Sequence, residues 1–303
     1  ELIGGAEGTP KRLVFDSIKN KKHVVTANKA LISKYGDQLA NLAEQKKVNL
    51  EYEAAVAGGI PVIRILKEGL IGNKINKIYG ILNGTSNYIL SNMQKIKMDF
   101  ETVLKKAKEL GYAESNPKSD LNGEDVKSKI QILSSLAFNC FINKSKINLE
   151  GINNVDQIDI KNARILGYKI KHLGVAELEN GKLIQGVYPC LVKKESHISN
   201  VNDVLNAIII EGKPIGKLVI QGEGAGPGPT ISALVSDICS ILRGNINFPF
   251  SASQANRRKI TSLDLSNKIF SSYIRLDVLD KKGVLSSITK IMSKNQISVK
   301  RLI

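Results

Sequence analysis

The sequence predicts an α/β protein built from a short parallel-sheet portion and a larger α+β portion. Three observations carry this. The first fifty residues alternate helix-like and strand-like segments, the pattern of a parallel sheet with helices packed on it. Residues 51–221 mix long amphipathic helices with separate strand-like runs. A glycine-rich turn at residues 222–228 then leads into an apolar helix at residues 232–242, placed to return to the first portion.

In chain order, residues 11–20 read as an amphipathic helix, and His23, Val24, Val25 and Thr26 as a short apolar strand. Residues 30–47 form a second helix, with Leu31, Leu39, Leu42 and Ala43 at helical spacing, and residues 48–53 a second strand. A helix over residues 99–110 stops at Gly111, and another covers residues 125–138. Strand-like runs follow at residues 183–188, 207–211 and 218–221. Residues 244–271 are polar, with Pro249 and the basic run Arg257-Arg258-Lys259, and read as a linker. Beyond it, residues 273–279 alternate like a strand, 280–283 turn, 284–295 form a helix and a second strand starts at Ile297. A βαβ piece this short buries little core by itself.

A chain of 303 residues, 42% hydrophobic, suffices for roughly two domains. It has no run of 18 apolar residues, so no membrane span is expected, and no signal-peptide pattern at its start. It begins at Glu1 and runs straight into Leu2 and Ile3, which suggests a chain shortened at both ends. Cys140, Cys190 and Cys239 are odd in number and far apart, which argues for buried thiols in a reducing, cytoplasmic setting. The net charge of +16 raises the possibility of nucleic-acid binding. The lysines are scattered, however, aromatics make up only 5% and no recognition motif is present, so the charge reads as a solvated surface favouring an anionic cofactor.

Five segments carry candidate chemistry. Thr26, Asn28 and Lys29 end a strand, where ligands bind in open α/β sheets; the competing reading makes Asn28 a helix cap and leaves Lys29 solvated. Glu53, followed by small residues through Gly58, Gly59 and Pro61, offers a carboxylate and turn carbonyls to a hard cation, or is a plain strand-to-helix turn. Residues 80–88 hold a cap at Asn83 to Ser86. The stretch from Gly111 through Glu114 and Asp120 to Asp125 and Lys129 is the most informative. Asp125 and Lys129 lie four apart on one helix face, either as an exposed salt bridge or as carboxylates and a proton-relaying lysine around a substrate ammonium. Finally, the turn through Gly226 opens a helix and can cradle an anion.

Taken in this order, the five segments resemble homoserine dehydrogenase from Glu1 to about Leu242, and the charge spacing from Glu114 to Lys129 is the most specific part. Residues 279–285 resemble the start of an ACT domain, a small amino-acid-sensing module. The resemblance implies a partial Rossmann-type dinucleotide-binding domain (residues 1–50, completed by 222–243) and a catalytic and dimerisation domain (51–221). After the linker it implies a partial ACT-like βαβ tail (272–303). It implies NAD(P)-dependent interconversion of homoserine and aspartate 4-semialdehyde, in threonine, methionine and isoleucine biosynthesis, by a cytoplasmic homodimer or homotetramer. Lys29 then lies near both nicotinamide and substrate, Glu114 and Asp120 hold homoserine, and Asp125 and Lys129 sit by the reacting hydroxyl. Ile3, Gly4, Gly111 and Gly226 touch the cofactor, and Glu53 with the carbonyls of Val56, Gly58 and Ile60 forms a sodium site. Lys129 and Lys29 both stand as the proton-relaying group. The phosphate-binding glycine loop is expected upstream of Glu1, so NAD and NADP are not distinguished, and weak dinucleotide binding by this chain is expected. The rival readings are a non-catalytic fragment and an ACT-type regulatory protein.

Overall fold

The structure is a computed structural model that describes residues 1–145, 147–245, 247–263 and 270–303. Its helices are α1 (Thr9–Lys19), α2 (Lys29–Lys46), α3 (Val62–Arg64), α4 (Gly84–Ile96), α5 (Phe100–Glu109), α6 (Lys118–Leu121), α7 (Glu124–Ala137), α8 (Gln157–Ile165), α9 (Pro227–Leu242) and α10 (Val284–Lys294). Its strands are β1 (Val24–Val25), β2 (Leu50–Glu51), β3 (Lys74–Ile81), β4 (Asn148–Leu149), β5 (Tyr168–Glu179), β6 (Lys182–Lys193), β7 (Leu205–Lys213) and β8 (Gly216–Glu223).

The amino-terminal portion forms as its pattern predicts. Strands β1 and β2 pair in parallel, with Val24 opposite Leu50 and Val25 opposite Glu51. Helices α1 and α2 pack together, and both, with α9, pack on this pair. Leu31, Ile32, Leu39, Ala40 and Ala43 are the buried face of α2. Each fully buried Leu or Ile contributes about 1.5–3 kcal/mol relative to an exposed one. The helix after Gly226 starts at Pro227, five residues before the expected Ser232, because a proline at the first helical position already has the helical φ.

The larger portion is a six-stranded mixed sheet in the order β4-β6-β5-β3-β7-β8. Only β4 and β6 run parallel; the other neighbours are antiparallel. Helices α4, α7 and α8 pack on the sheet, α7 against β3, β5 and β6 and α4 against β5 and β7. Sequence patterning missed the central strand β3. A register irregularity between Ile75 and Lys77 puts its buried residues Ile75 and Ile78 three apart rather than two. It also missed β5 and undersized β6, which form one long hairpin turned at Asn180-Gly181, both at positive φ (49° and 77°). Such a two-residue turn fits the twist of paired strands.

Residues 244–271, expected as a linker, are anchored to the body by the buried Pro249, Phe250 and Arg257; residue 246 and residues 264–269 lie outside the described residues. Phe250 is fully buried against Tyr52, with ring centroids 5.5 Å apart, and the Tyr52 hydroxyl donates to the Pro249 carbonyl at 2.6 Å. Residues 257–263 add a main-chain bridge from Arg258 to Cys140 and another from Ser262 to Leu183. Few apolar residues mark this stretch, but one aromatic and one arginine suffice to seat it. The expected βαβ tail is also corrected. Helix α10 forms where predicted, but residues 273–279 and 297–303 make no strand, and Ile274, Leu276 and Val278 are more than half exposed. A strand exists only when a neighbour takes its hydrogen bonds. Instead the tail rests on α8, where Arg275 pairs with Asp156 (2.6 Å) and Asp159 (3.0 Å).

Candidate active site

The amino end of α2 meets the amino end of α7. Asn28 caps α2, its side chain accepting from the Leu31 amide at 3.0 Å. The same side chain donates to the carbonyls of Ile3 (2.8 Å) and Gly5 (2.7 Å), so it also ties down the exposed segment carrying Ile3 and Gly4. Lys29, the first residue of α2, therefore leaves the carboxyl end of β1 in a set direction. It is not free in solvent: its Nζ lies 3.0 Å from Asp125.

Asp125 and Lys129 sit in the first two turns of α7. That helix starts after Gly123, at φ +88°, where an added Cβ would lie 2.9 Å from Leu149 Cδ1. Only glycine suits both the conformation and the space. The i,i+4 pair Lys129–Asp125 is made at 2.8 Å, and the side chains are only 10% and 6% exposed. It is thus not a solvated surface bridge. Lys129 Nζ also donates to the Leu82 carbonyl at 2.6 Å.

Asn83 joins the remaining carboxylate. Its Oδ1 caps α4 by accepting from the Ser86 amide at 2.8 Å, while its Nδ2 donates to Asp120 (2.8 Å) and Asp125 (2.9 Å). The sequence showed Asn83 only as a cap, because its other partners lie 37 and 42 residues away. Behind it stands His172, buried, with Nδ1 3.4 Å from Ser86 Oγ and Nε2 3.0 Å from the Glu150 carbonyl. Burial pushes its imidazole down to about 4, so it is neutral at physiological pH. Nothing in the local sequence pointed to it. The loop after Gly111, which ends α5 at φ +75°, is anchored by the Thr85 hydroxyl donating to the Tyr112 carbonyl at 2.6 Å.

The structure thus brings Lys29, Asp120, Asp125 and Lys129 together around Asn83. Glu114 lies at the rim, exposed, and acts on Lys29 and Asp120 through space rather than by contact. Burial alone would raise Asp125, but Lys129 and then Lys29 outweigh it and hold the carboxyl well below the ordinary range. Asp120 is raised, mainly by burial, with Asp125 and Glu114 adding to the effect. For Lys29, burial pulls down, but Asp125, Asp120 and Glu114 more than offset it.

Glu53 lies apart from this cluster, in a 3-10 turn (Glu53–Ala55) after β2. Its carboxylate accepts from the amides of Ile63 and Arg64, each at 2.8 Å, and so caps α3. Its own amide donates to Asp237 of α9 at 2.9 Å. Val56, Gly58 and Ile60 are buried on the following turn, and the Ile60 carbonyl takes a hydrogen bond from the Val62 amide at 2.7 Å. Among the described residues no cluster of three or more His, Cys, Asp or Glu is arranged for a metal. Gly226 is exposed immediately before α9, at φ +111°. No helix among the described residues is long and apolar enough to cross a membrane.

Comparison with known proteins agrees with this layout. The homoserine dehydrogenase NAD-binding domain pattern matches residues 4–53, and the homoserine dehydrogenase pattern matches residues 61–239. A homoserine dehydrogenase of Neisseria gonorrhoeae is 42% identical over 313 residues, covering all of this chain and 71% of the relative. One from Bacillus subtilis is 36% identical over 307 residues, covering all of this chain and 70% of the relative. The crystal structure of a homoserine dehydrogenase from Thiobacillus denitrificans superposes with a TM-score of 0.91 at 36% identity, covering all of this chain and 71% of the other. The chain belongs to the homoserine dehydrogenase family, oxidoreductases acting on a CH–OH group.

Proposed function

We propose that the Lys29–Asp125–Lys129 cluster is where aspartate 4-semialdehyde is reduced to homoserine and homoserine is oxidised back. The observation that carries this reading is the meeting of two lysines, from α2 and α7, on one buried carboxylate. Chance rarely converges such groups from distant segments, and a structural ion pair needs only one cation. The bound dinucleotide supplies or accepts a hydride at the nicotinamide. The protein's own task is to place the carbonyl, hold the amino-acid end and move one proton.

The cluster has three carboxylates (Glu114, Asp120, Asp125) against two ammonium groups (Lys29, Lys129), one negative charge in excess. A substrate ammonium at Asp120 and Glu114 offsets it. Two of the three N–H groups of Lys129 are committed to Asp125 and Leu82. The third is the group we assign to the reacting oxygen: it protonates the forming alkoxide in reduction and takes the proton back in oxidation. Lys29, 41% exposed and beside the Ile3–Gly5 segment, faces both substrate and nicotinamide. Ile3, Gly4, Lys29, Gly111 and Gly226 are the proposed dinucleotide contacts. The open backbone at Gly4 and Gly111, with no atom within 4 Å of an added Cβ, leaves room for close approach.

We also assign Glu53 and the carbonyls of Val56, Gly58 and Ile60 to a sodium ion. The donor chemistry fits: one carboxylate and three carbonyls are hard oxygen ligands. The carboxylate is 4% exposed and pushed up to about 7, mainly by burial, because Arg64, which it shares with Asp237, does not outweigh desolvation.

The test is Lys129→Ala, assayed by aldehyde-dependent oxidation of NADH and NADPH. Loss of general acid–base catalysis lowers kcat by about 10²–10⁴-fold. A loss under tenfold would move the proton to Lys29 and leave Lys129 a support for Asp125.

A further inference from the structure

Arg257 lies far along the chain from the reacting groups, in the stretch that patterning reads as a linker. Its side chain is fully buried. Nη2 is 2.8 Å from Asp37 Oδ1 of α2, 2.8 Å from Ser135 Oγ of α7 and 2.8 Å from the Cys140 carbonyl just past α7. The guanidinium lies between the rings of Phe250 (4.2 Å) and Phe141 (4.9 Å), and its Nε and Nη1 have no hydrogen-bond partner.

This is a costly way to hold a fold together. Burying an arginine with two unpartnered nitrogens carries a desolvation penalty that an apolar side chain would avoid. What the arginine provides instead is geometry, since one nitrogen sets the spacing of two helices. Those helices carry the reacting groups at their amino ends. Lys29 is eight residues before Asp37 on α2, about 12 Å away along the axis, and Asp125 is ten residues before Ser135 on α7, about 15 Å away. Helices are stiff over such lengths, so a change of spacing at Arg257 reaches the Lys29–Asp125 pair.

We propose that Arg257 is a positioning residue for the reaction, clamping α2 to α7 so that Lys29 and Asp125 meet at the spacing catalysis needs. The proposal rests on the roles given above to Lys29 and Asp125. Displacing reacting groups by about 1 Å lowers rates by as much as about a hundredfold, whereas uniform loosening of substrate binding would raise KM instead.

The experiment is a double-mutant cycle in the purified enzyme, with Arg257→Lys, Lys29→Met and both together, reading kcat, KM and melting temperature. Arg257→Lys is expected to lower kcat about tenfold or more with little change in aldehyde KM. In the Lys29→Met background the same change is expected to cost less than about twofold, because the pair it positions is already gone. Full additivity would overturn the proposal, as would a folded Arg257→Lys enzyme with unchanged kcat. If Arg257→Lys fails to fold, the milder Ser135→Ala and Asp37→Asn carry the same cycle. Unchanged kcat in Lys29→Met alone would instead overturn the reading of the site itself, and this proposal with it.

Discussion

Two groups of buried carboxylates, one where α2 meets α7 and the other where the turn after β2 meets α9, carry charge in opposite ways. Asp125 is 6% exposed, Glu53 4% and Asp237 1%. Asp125 is held well below the ordinary carboxylate range, while burial pushes Glu53 up to about 7 and Asp237 up to about 6. Burial is nearly the same; the difference is the count of nearby cations. Asp125 has two lysines and the Asn83 amide in contact. Glu53 and Asp237 face each other and share Arg64, whose Nη2 is 3.2 Å from Asp237. A carboxylate keeps its charge in a protein interior only where opposite charge and hydrogen bonds outweigh desolvation. The first cluster is therefore ready to hold cations in place, and the second is short of one.

The largest effect that would break this comparison comes from Asp125→Asn. Removing the shared counterion leaves Lys129 nearly buried without a charge partner. Breaking such a pair is expected to cost about 3–5 kcal/mol of stability, read by denaturant unfolding, together with a large fall in kcat. A stability loss below about 1 kcal/mol would show that water, not Asp125, solvates the lysines.

The second cluster is sharpened by exchanging cations. If a sodium ion supplies the missing charge at Glu53, the protein is expected to melt at higher temperature in sodium chloride than in choline chloride of equal strength, since a ligand of the native state stabilises it. Glu53→Gln is expected to erase the difference. Equal melting in the two salts would remove the ion and leave Glu53 as the cap of α3 alone.

A third test comes from the mirror-image case, a buried cation lacking an anion. Lys171 of β5 is fully buried, donates to Asn87 Oδ1 at 3.1 Å, and is pushed down to about 7 chiefly by burial. Between about pH 7 and the ordinary lysine value of 10.5 the unfolded chain holds this proton and the folded chain does not. Stability from this group therefore rises with pH across that window. Lys171→Met is expected to flatten the rise, measured as melting temperature from pH 7 to 10. An unaltered slope would mean that the surrounding oxygens keep Lys171 charged.

Much of this was legible in residue order. The βα alternation of the first fifty residues, the stop at Gly111 and the helix of Asp125 and Lys129 all formed where local pattern placed them. The i,i+4 spacing named the Asp125–Lys129 pair, although not its burial. Lys29 was singled out by its place at the end of a strand. Asn83 and His172 were not, because a cap and an apolar-strand histidine look ordinary until their distant partners are in place. Strand β3 was hidden by its register irregularity, and the core role of Phe250 and Arg257 by the polar residues around them.

The sequence by itself determined the family, the approximate extents of α1, α2, α5 and α7, and the residue types available to the site, because these depend on local propensity and short-range spacing. Only the tertiary structure decided that Lys29 keeps its proton and that Asp125 is shared. It also decided that Asn83 bridges two carboxylates, and that Phe250 and Arg257 are buried anchors within the expected linker. Those outcomes depend on which charges and rings come within a few ångströms from segments tens to hundreds of residues apart. Electrostatic and packing energies fall off with that distance, and it is set by the fold rather than by position along the chain.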